Sequence, residues 1–363
     1  ELKKDGSGAL KGKGHIAGIA IATDEFECYY PIAHKEGPNL PKRKVLKYIQ
    51  EVCNTKSDKI FHNAMYDVTW LRKAGITIKG NIFDSMIAAS LVDENRFSYA
   101  LNSLGPEYCQ EFKSEKLLKD FADAKGLDPK KDLWQIPPSH VGNYAEQDAA
   151  LTLKLWMKLR QELVAQNLKS IFLLETELFP CIVEMKFKGV RIDVNAAKKL
   201  GERLKNTKNN IINYIERRTG VKIEIWAASS IKKLLDKLEI KDYKTTPKSN
   251  RPQLPKNYLE THANHFLRMV AKARKFDKAE GTFVEGLLSF VYEGRIHADI
   301  NQIKGEKGGT VTGRFSMSNP NLQQIPSKGF IGRKMRELFI PEDGYTWGSF
   351  DYSQQEPRIV VHY

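Results

Sequence analysis

Apolar and polar positions alternate with a short period at the start of the chain and with a helical period through its middle. His15–Ala22 and Glu25–Ile32 are runs of β-branched, aromatic and small residues separated by Thr23-Asp24, which predicts two strands joined by a turn. Helical spacing follows over 41–53 and over 66–74, ending at Gly75, then a short strand at Asn81–Phe83 and helices over 84–92 and 140–166. Strands alternating with helices predict an α/β domain that ends near residue 165. From about 167 the pattern is almost wholly helical. Ile171, Leu174, Leu178 and Ile182 form one apolar stripe, and Leu200, Leu204, Ile211 and Ile215 another. Lys188–Asp193 breaks the period between them. Basic helices fill 196–290, interrupted by a Lys- and Pro-rich stretch, Lys241–Lys256, and 291–363 returns to strands and Gly-rich loops. Glu1–His15, rich in Gly and Lys, predicts a loop.

Length and charge narrow the picture. At 363 residues the chain calls for two or three domains, and a hydrophobic content of 41% suffices for packed cores. No apolar run reaches the roughly 20 residues of a membrane span, and a signal-peptide pattern is absent. Cys28, Cys53, Cys109 and Cys181 lack the spacing of a zinc site or a disulfide framework, which fits a reducing cytoplasm. A net charge of +14 favours a polyanionic partner, because neutralising phosphates releases condensed counterions. Charge alone does not separate nucleic acid from anionic lipid.

Four segments carry candidate chemistry. Tyr345–Phe350 is β-prone and ends in Asp351; a carboxylate held at a strand end can bind a hard divalent ion that retains water and takes phosphate. Tyr352, Ser353, Gln354, Glu356 and Arg358 follow it. Thr312–Pro326 is dense in amides and hydroxyls that could grip a nucleic-acid backbone: Thr312, Arg314, Asn319, Asn321, Gln323 and Gln324. Phe61–Asp67 sets a carboxylate at a strand-to-helix junction, with Asn63 just before it. Tyr144 and Asp148, four apart, share a helix face. Two-metal hydrolysis of a phosphodiester needs carboxylates from separate elements, and a phenol beside them can orient water. The plainer alternatives are a helix-capping Asp67, a core Tyr144, a buried Asp351 and an ordinary polar loop.

In this order the segments resemble the family A DNA polymerases, the bacterial polymerase I and phage replicative type. Asp351-Tyr-Ser-Gln-x-Glu-x-Arg is similar to their first palm motif, and the resemblance implies that Asp351 binds the catalytic metals, that Tyr352, Ser353, Gln354 and Glu356 face the incoming nucleotide, and that Arg358 belongs with the DNA contacts. Thr312–Pro326 resembles the segment that grips the primer-template. Phe61–Asp67 and Tyr144–Asp148 resemble the second and third motifs of the attached 3′–5′ exonuclease. By that resemblance Asp67 and Asp148 are metal ligands, Tyr144 positions water and Asn63 contacts the strand, while Asp84 supports the site.

The implied architecture is an RNase H-like α/β exonuclease domain (1–165), a helical connector and thumb (166–295) and the first part of an α+β palm (296–363). Lys and Arg side chains of the thumb, such as Lys205, Lys208, Arg217, Lys248, Arg274 and Lys278, are candidate phosphate contacts. Arg333 and Arg336 are expected either to hold phosphates or to pair with Glu337 and Glu342. The implied function is template-directed DNA synthesis with proofreading, using two Mg²⁺ per site with Mn²⁺ able to substitute. Implied partners are primer-template DNA, a single-stranded 3′ end and dNTPs, with a processivity factor or second polymerase subunit as a candidate. The implied location is the cytoplasm, that of a bacterial host for a phage protein. The chain departs from the pattern in two places. The family's Asp-x-Glu motif, on the strand before Ile16–Ile21, has no counterpart, since Asp24-Glu25 falls in a turn. The nucleotide-binding helix and the His-Asp-Glu motif would follow Tyr363. A partial chain, inactive in synthesis by itself, is therefore expected; an exonuclease-only relative and the DNA-binding subunit of a split polymerase are the alternatives.

Overall fold

The computed structural model describes residues 8–113, 115–129, 131–247, 249, 251–304 and 309–363. The N-terminal alternation yields β1 (Gly18–Ala22) and β2 (Glu27–Pro31), antiparallel, with Gly18 opposite Pro31 and Ala22 opposite Glu27. Thr23 closes the turn, its Oγ1 accepting the N–H groups of Glu25 and Phe26 at 3.2 Å. Helix α1 (Lys42–Asn54) buries Val45, Ile49 and Cys53, a spacing of four that keeps one face inward. Strands β3 (Lys59–Phe61) and β4 (Ile82–Asp84) pair in parallel and are joined by α2 (Ala64–Lys73). Then come α3 (Ser85–Val92), α4 (Leu101–Leu104), a π-helical turn at Gly105–Cys109, α5 (Lys116–Lys125), α6 (Pro138–Ala165) and α7 (Lys169–Lys188).

A break at Gly189 leads into β5 (Val190–Arg191), α8 (Val194–Thr219) and α9 (Ala228–Lys237). The Lys- and Pro-rich interruption folds as a hairpin of β6 (Lys244–Thr245) and β7 (Pro252–Gln253), with Lys248 outside the described residues. Helices α10 (Lys256–Thr261) and α11 (His265–Lys278), a π-helical segment at Ala279–Glu285 and α12 (Gly286–Leu288) complete the basic middle. Short strands β8 (Val291–Tyr292), β9 (Arg295–Ile296), β10 (Asp299–Asn301) and β11 (Ser316–Ser318) follow, then α13 (Gly329–Arg336) and α14 (Gln355–His362).

Two compact units result. One comprises the chain up to Gly189 with His297–Gln324, the other Val190–Ile296 with Ile325–Tyr363. In the first unit, α6 supplies the core with Leu151, Leu155, Trp156 and Leu159, against Ile87, Ala88, Leu104 and Phe172. Phe83 stacks on Trp156 at 4.9 Å between centroids. In the second, Ile211 and Ile215 of α8 pack with Ile231, Leu234, Leu235, Leu267 and Val270. Each such side chain contributes about 2 kcal/mol on burial.

Two expectations need correcting. In α7 the inward face is Phe172, Thr176, Phe179, Ile182, Val183 and Lys186; of the expected stripe Ile182 is buried, while Ile171 and Leu174 are exposed. Apolar residues lie on every side of this helix, so its period alone does not choose a face. Tyr345–Phe350 forms no strand and is exposed throughout. β-propensity is realised only against a partner strand, and none among the described residues pairs with this segment.

Candidate functional site

The carboxylates of the first unit are positioned by backbone. Asp84 ends β4 and is buried; its Oδ1 accepts the N–H groups of Asn63 (3.0 Å) and Met86 (2.9 Å), and its Oδ2 accepts that of Ala64 (2.7 Å). It thus caps α3 and fixes the start of α2. Burial raises its carboxyl, and these N–H groups pull it back. Asn63 enters α2 in the left-handed region (φ 65°), and its exposed side chain makes no capping bond. Asp67, in the first turn of α2, keeps accessible surface but is hemmed in by protein. Desolvation, then the nearby Asp84 charge, pushes it up to about 7. His62, beside them, donates or accepts at Nδ1 with Ser85 Oγ (2.9 Å), while its Nε2 is buried without a partner among the described residues. Burial, with help from the Lys113 charge, lowers it to about 4.

Tyr144 and Asp148 lie on α6, which is tied to β2 by the Tyr29 N–H donating to Glu146 Oε1 at 2.8 Å. Tyr29 also explains Gly18: a Cβ there would come within 2.2 Å of the tyrosine ring. Asp148 Oδ2 pairs with Lys113 Nζ at 2.6 Å, and the same ammonium lies 3.5 Å from Tyr144 Oη and 5.0 Å from its ring centroid. Asp148 Oδ1 is buried and has no hydrogen-bond partner among the described residues. Burial raises the Asp148 carboxyl, and Lys113 opposes that. The Tyr144 phenol is raised by burial and then by Asp148. The structure thus brings Tyr144 and Asp148 together around Lys113, whereas the charge acting on Asp67 is that of Asp84. Lys113 was missed because it sits in an aperiodic loop that carries no motif.

The loop around Thr312 to Gln324 is stapled by its own side chains. Gln323 Nε2 donates to the Phe315 carbonyl (3.1 Å), and its Oε1 accepts the Met317 N–H (3.2 Å). Asn321 Oδ1 accepts the Gln323 N–H at 3.0 Å. Asn319 (φ 53°, with a cis bond to Pro320) donates to Asp299 Oδ2 at 2.9 Å. Asp299 is held in turn by the buried Lys186 at 2.8 Å, a partner not evident from the sequence. Thr312 bonds Thr310, and Arg314 and Gln324 are exposed.

In the second unit Asp351 is exposed in an irregular stretch just before α14. Tyr352, Ser353 and Arg358 line an open groove with Ile359 and His362, while Gln354 begins the helix in the left-handed region (φ 53°) and Glu356 lies in its first turn. Some cations of the second unit are spent internally: Lys208 pairs with Asp277 at 2.9 Å, and Arg274 stacks on Trp226 while donating to the Ile225 and Leu254 carbonyls. Glu337 pairs with Lys334, and Glu342 with Arg295.

A model of the 3′–5′ exonuclease family matches residues 6–164, and one of DNA polymerase family A matches 194–363. The chain belongs to the family A DNA polymerases. It is 32% identical over its whole length to a DNA-directed DNA polymerase of Pseudomonas phage M6, covering 57% of that protein. It is 34% identical over 85% of its length to DNA polymerase DpoZ of Acinetobacter phage SH-Ab 15497, covering 54%. Against DNA polymerase I of Chloroflexus aurantiacus the identity is 28%, over 95% of this chain and 36% of that one. The chain therefore spans a little over half of the phage relatives. Among solved structures it is similar to the POL domain of Pol1 from M. smegmatis in complex with DNA primer-template and dNTP. The TM-score there is 0.67 at 22% identity, over 90% of this chain and 52% of that one, which shows a shared fold. No helix among the described residues is long and apolar enough to cross a membrane.

Domains of both kinds use divalent metal ions. Asp148 fits one through its orphaned Oδ1, a hard oxygen, while the Lys113 ammonium occupies its Oδ2. Among the described residues no three His, Cys, Asp or Glu side chains converge as a ligand group.

Proposed function

We propose that the chain is the proofreading and primer-gripping part of a DNA polymerase that extends a primer on a template and trims mismatched 3′ ends. The observation that carries this reading is Asp148: a helix-borne carboxylate with one buried, unpartnered oxygen beside a phenol, inside the region that matches the exonuclease family. Asp67 and Asp148 would hold metal, Mg²⁺ by the hardness of the donors, and such an ion would supply Lewis-acid stabilisation and acidify a water. Tyr144 would place its hydroxyl to orient water, and Asn63 would take the strand. In the palm, Asp351 is the metal ligand, Tyr352, Ser353, Gln354 and Glu356 meet the nucleotide, and Arg358 serves the DNA. Thr312, Arg314, Asn319, Asn321, Gln323 and Gln324 face the primer-template. The division into an exonuclease domain to 165, connector and thumb to 295 and palm beyond belongs to this same reading.

The basic helices of the thumb supply affinity without sequence preference, because phosphate contacts carry no base information. Binding of a primer-template by the chain, followed by fluorescence anisotropy, tests the reading. With six or more phosphates neutralised, affinity falls by about a thousandfold or more between 50 and 200 mM salt. A flat salt response, or a marked preference for one sequence, refutes it.

A further inference from the structure

We propose that Lys113 is a built-in counter-cation of the nuclease site, one that competes with divalent metal for Asp148 and so sets how much metal the nuclease needs. The inference rests on the reading of Asp148 as a metal ligand. Three successive residues strap one loop onto α6: Glu111 pairs with Lys154 (2.6 Å), the Phe112 carbonyl accepts from Gln147 Nε2 (3.0 Å), and Lys113 pairs with Asp148 (2.6 Å). The strap holds the ammonium at the carboxylate with only 10% of its side chain accessible. Lys113 is therefore no solvated surface charge that drifts near an acid. It is positioned from both sides, with Tyr144 beneath it and the buried imidazole of His62 feeling its charge.

Half of the Asp148 carboxylate is satisfied by this arrangement and half is left orphaned. A divalent ion drawn to the free oxygen meets a fixed positive charge across the same carboxylate. Either the ammonium withdraws or the ion binds weakly, since like charges in a partly desolvated site repel with little screening. The strap makes withdrawal costly, because its outer anchors at Glu111 and Phe112 remain in place. Lys113 acts as a positioning residue: in the metal-free state it keeps Asp148 aimed, and it raises the metal concentration at which the site fills.

The test is a Mn²⁺ titration of the 363-residue chain by electron paramagnetic resonance, with Asp351→Asn in every sample to silence the palm carboxylate. Lys113→Met is expected to tighten Mn²⁺ binding by about tenfold or more, the scale on which a close charge shifts a carboxylate equilibrium. Lys113→Gln, which keeps a donor to Asp148 without the charge, is expected to do the same and serves should the methionine variant fold poorly. Lys113→Arg is expected to bind as the parent does. If neither uncharged variant binds Mn²⁺ more tightly than the parent, including the case of no bound Mn²⁺ at millimolar concentrations, the proposal is overturned. Weaker binding of a single-stranded oligonucleotide with unchanged Mn²⁺ affinity also overturns it, and assigns Lys113 to the DNA. Adding Asp148→Asn to Lys113→Met is expected to erase the gain; if the tighter binding persists, Asp148 is not the ligand and the underlying reading fails instead.

Discussion

The two candidate chemical centres are built in opposite ways. In the nuclease unit Asp84 is held by backbone N–H groups and Asp148 by Lys113, while Asp67 feels the Asp84 charge and keeps accessible surface. In the polymerase unit Asp351 stands exposed ahead of an exposed helix, with no hydrogen bond or ion pair among the described residues. A side chain embedded in a network serves fold and chemistry together, so its loss shows in both. An exposed one can be changed with little effect on the fold.

The largest expected effect tests the exposed side. In a protein that carries the remaining polymerase segments, Asp351→Asn should lower nucleotide incorporation by about a thousandfold or more, the size of several kcal/mol of lost metal-borne stabilisation. The melting temperature should stay put, because surface substitutions without partners change stability by about 0.5 kcal/mol or less. A clear drop in melting temperature would show that Asp351 is tied into the fold after all.

The embedded side predicts a split between two nuclease variants. Asp148→Ala and Asp67→Ala should each abolish degradation of single-stranded DNA. Only Asp148→Ala should also destabilise the chain, by about 1–3 kcal/mol in urea unfolding, because it strands the Lys113 ammonium. Asp67→Ala removes a carboxylate already held at a cost and should leave stability at pH 8 equal or higher. Equal losses in the two would erase the distinction between a paired and a crowded carboxylate.

The smallest effect is a tilt with pH. Asp67, raised from 3.8 to about 7, carries a proton in the folded chain that the unfolded chain has lost, so stability falls as pH rises through that window. His62, lowered from 6.5 to about 4, is neutral when folded while the unfolded chain takes up a proton; its contribution is present above 6.5 and is lost as pH falls toward 4. The two slopes oppose each other. Asp67→Asn removes one of them, and unfolding free energy should then climb more steeply between pH 4 and 6.5 than in the parent. Because Asp67 retains accessible surface, the tilt will be smaller than its full shift implies. Superimposable profiles would place Asp67 in ordinary solvent.

Much of the fold was legible because local pattern and tertiary burial agree in particular elements. Leu204, Ile211 and Ile215 recur at helical spacing and are the residues α8 buries. The Thr23-Asp24 turn and the long helix through Tyr144 and Asp148 were equally plain. Helix α7 was not, since Ile171, Leu174, Phe172 and Phe179 lie on different sides and only packing decides between them. Strand β3 was legible only through the strand-to-helix junction at Phe61, without its bounds. The identities of the candidate site residues could be read from motifs, but their settings could not. Nothing in the spacing of Lys113, Lys186 or Asp299 announces that a loop will deliver Lys113 to Asp148, or that a helix and a strand will bring Lys186 and Asp299 together beside Asn319.

Asp84 gathers the amides of Asn63, Ala64 and Met86 onto one buried carboxylate, joining the start of one helix to the start of the next. In the language of hydrogen exchange the amides of Asn63 and Ala64 belong to one protected unit, whose protons leave only when β4 separates from the head of α2, whereas that of Met86 is released by fraying of the start of α3. The loop that presents Asn63 to solvent is therefore locked along its spine while its side chain stays free to engage a strand, and its amides will report opening of the whole sheet rather than of the loop.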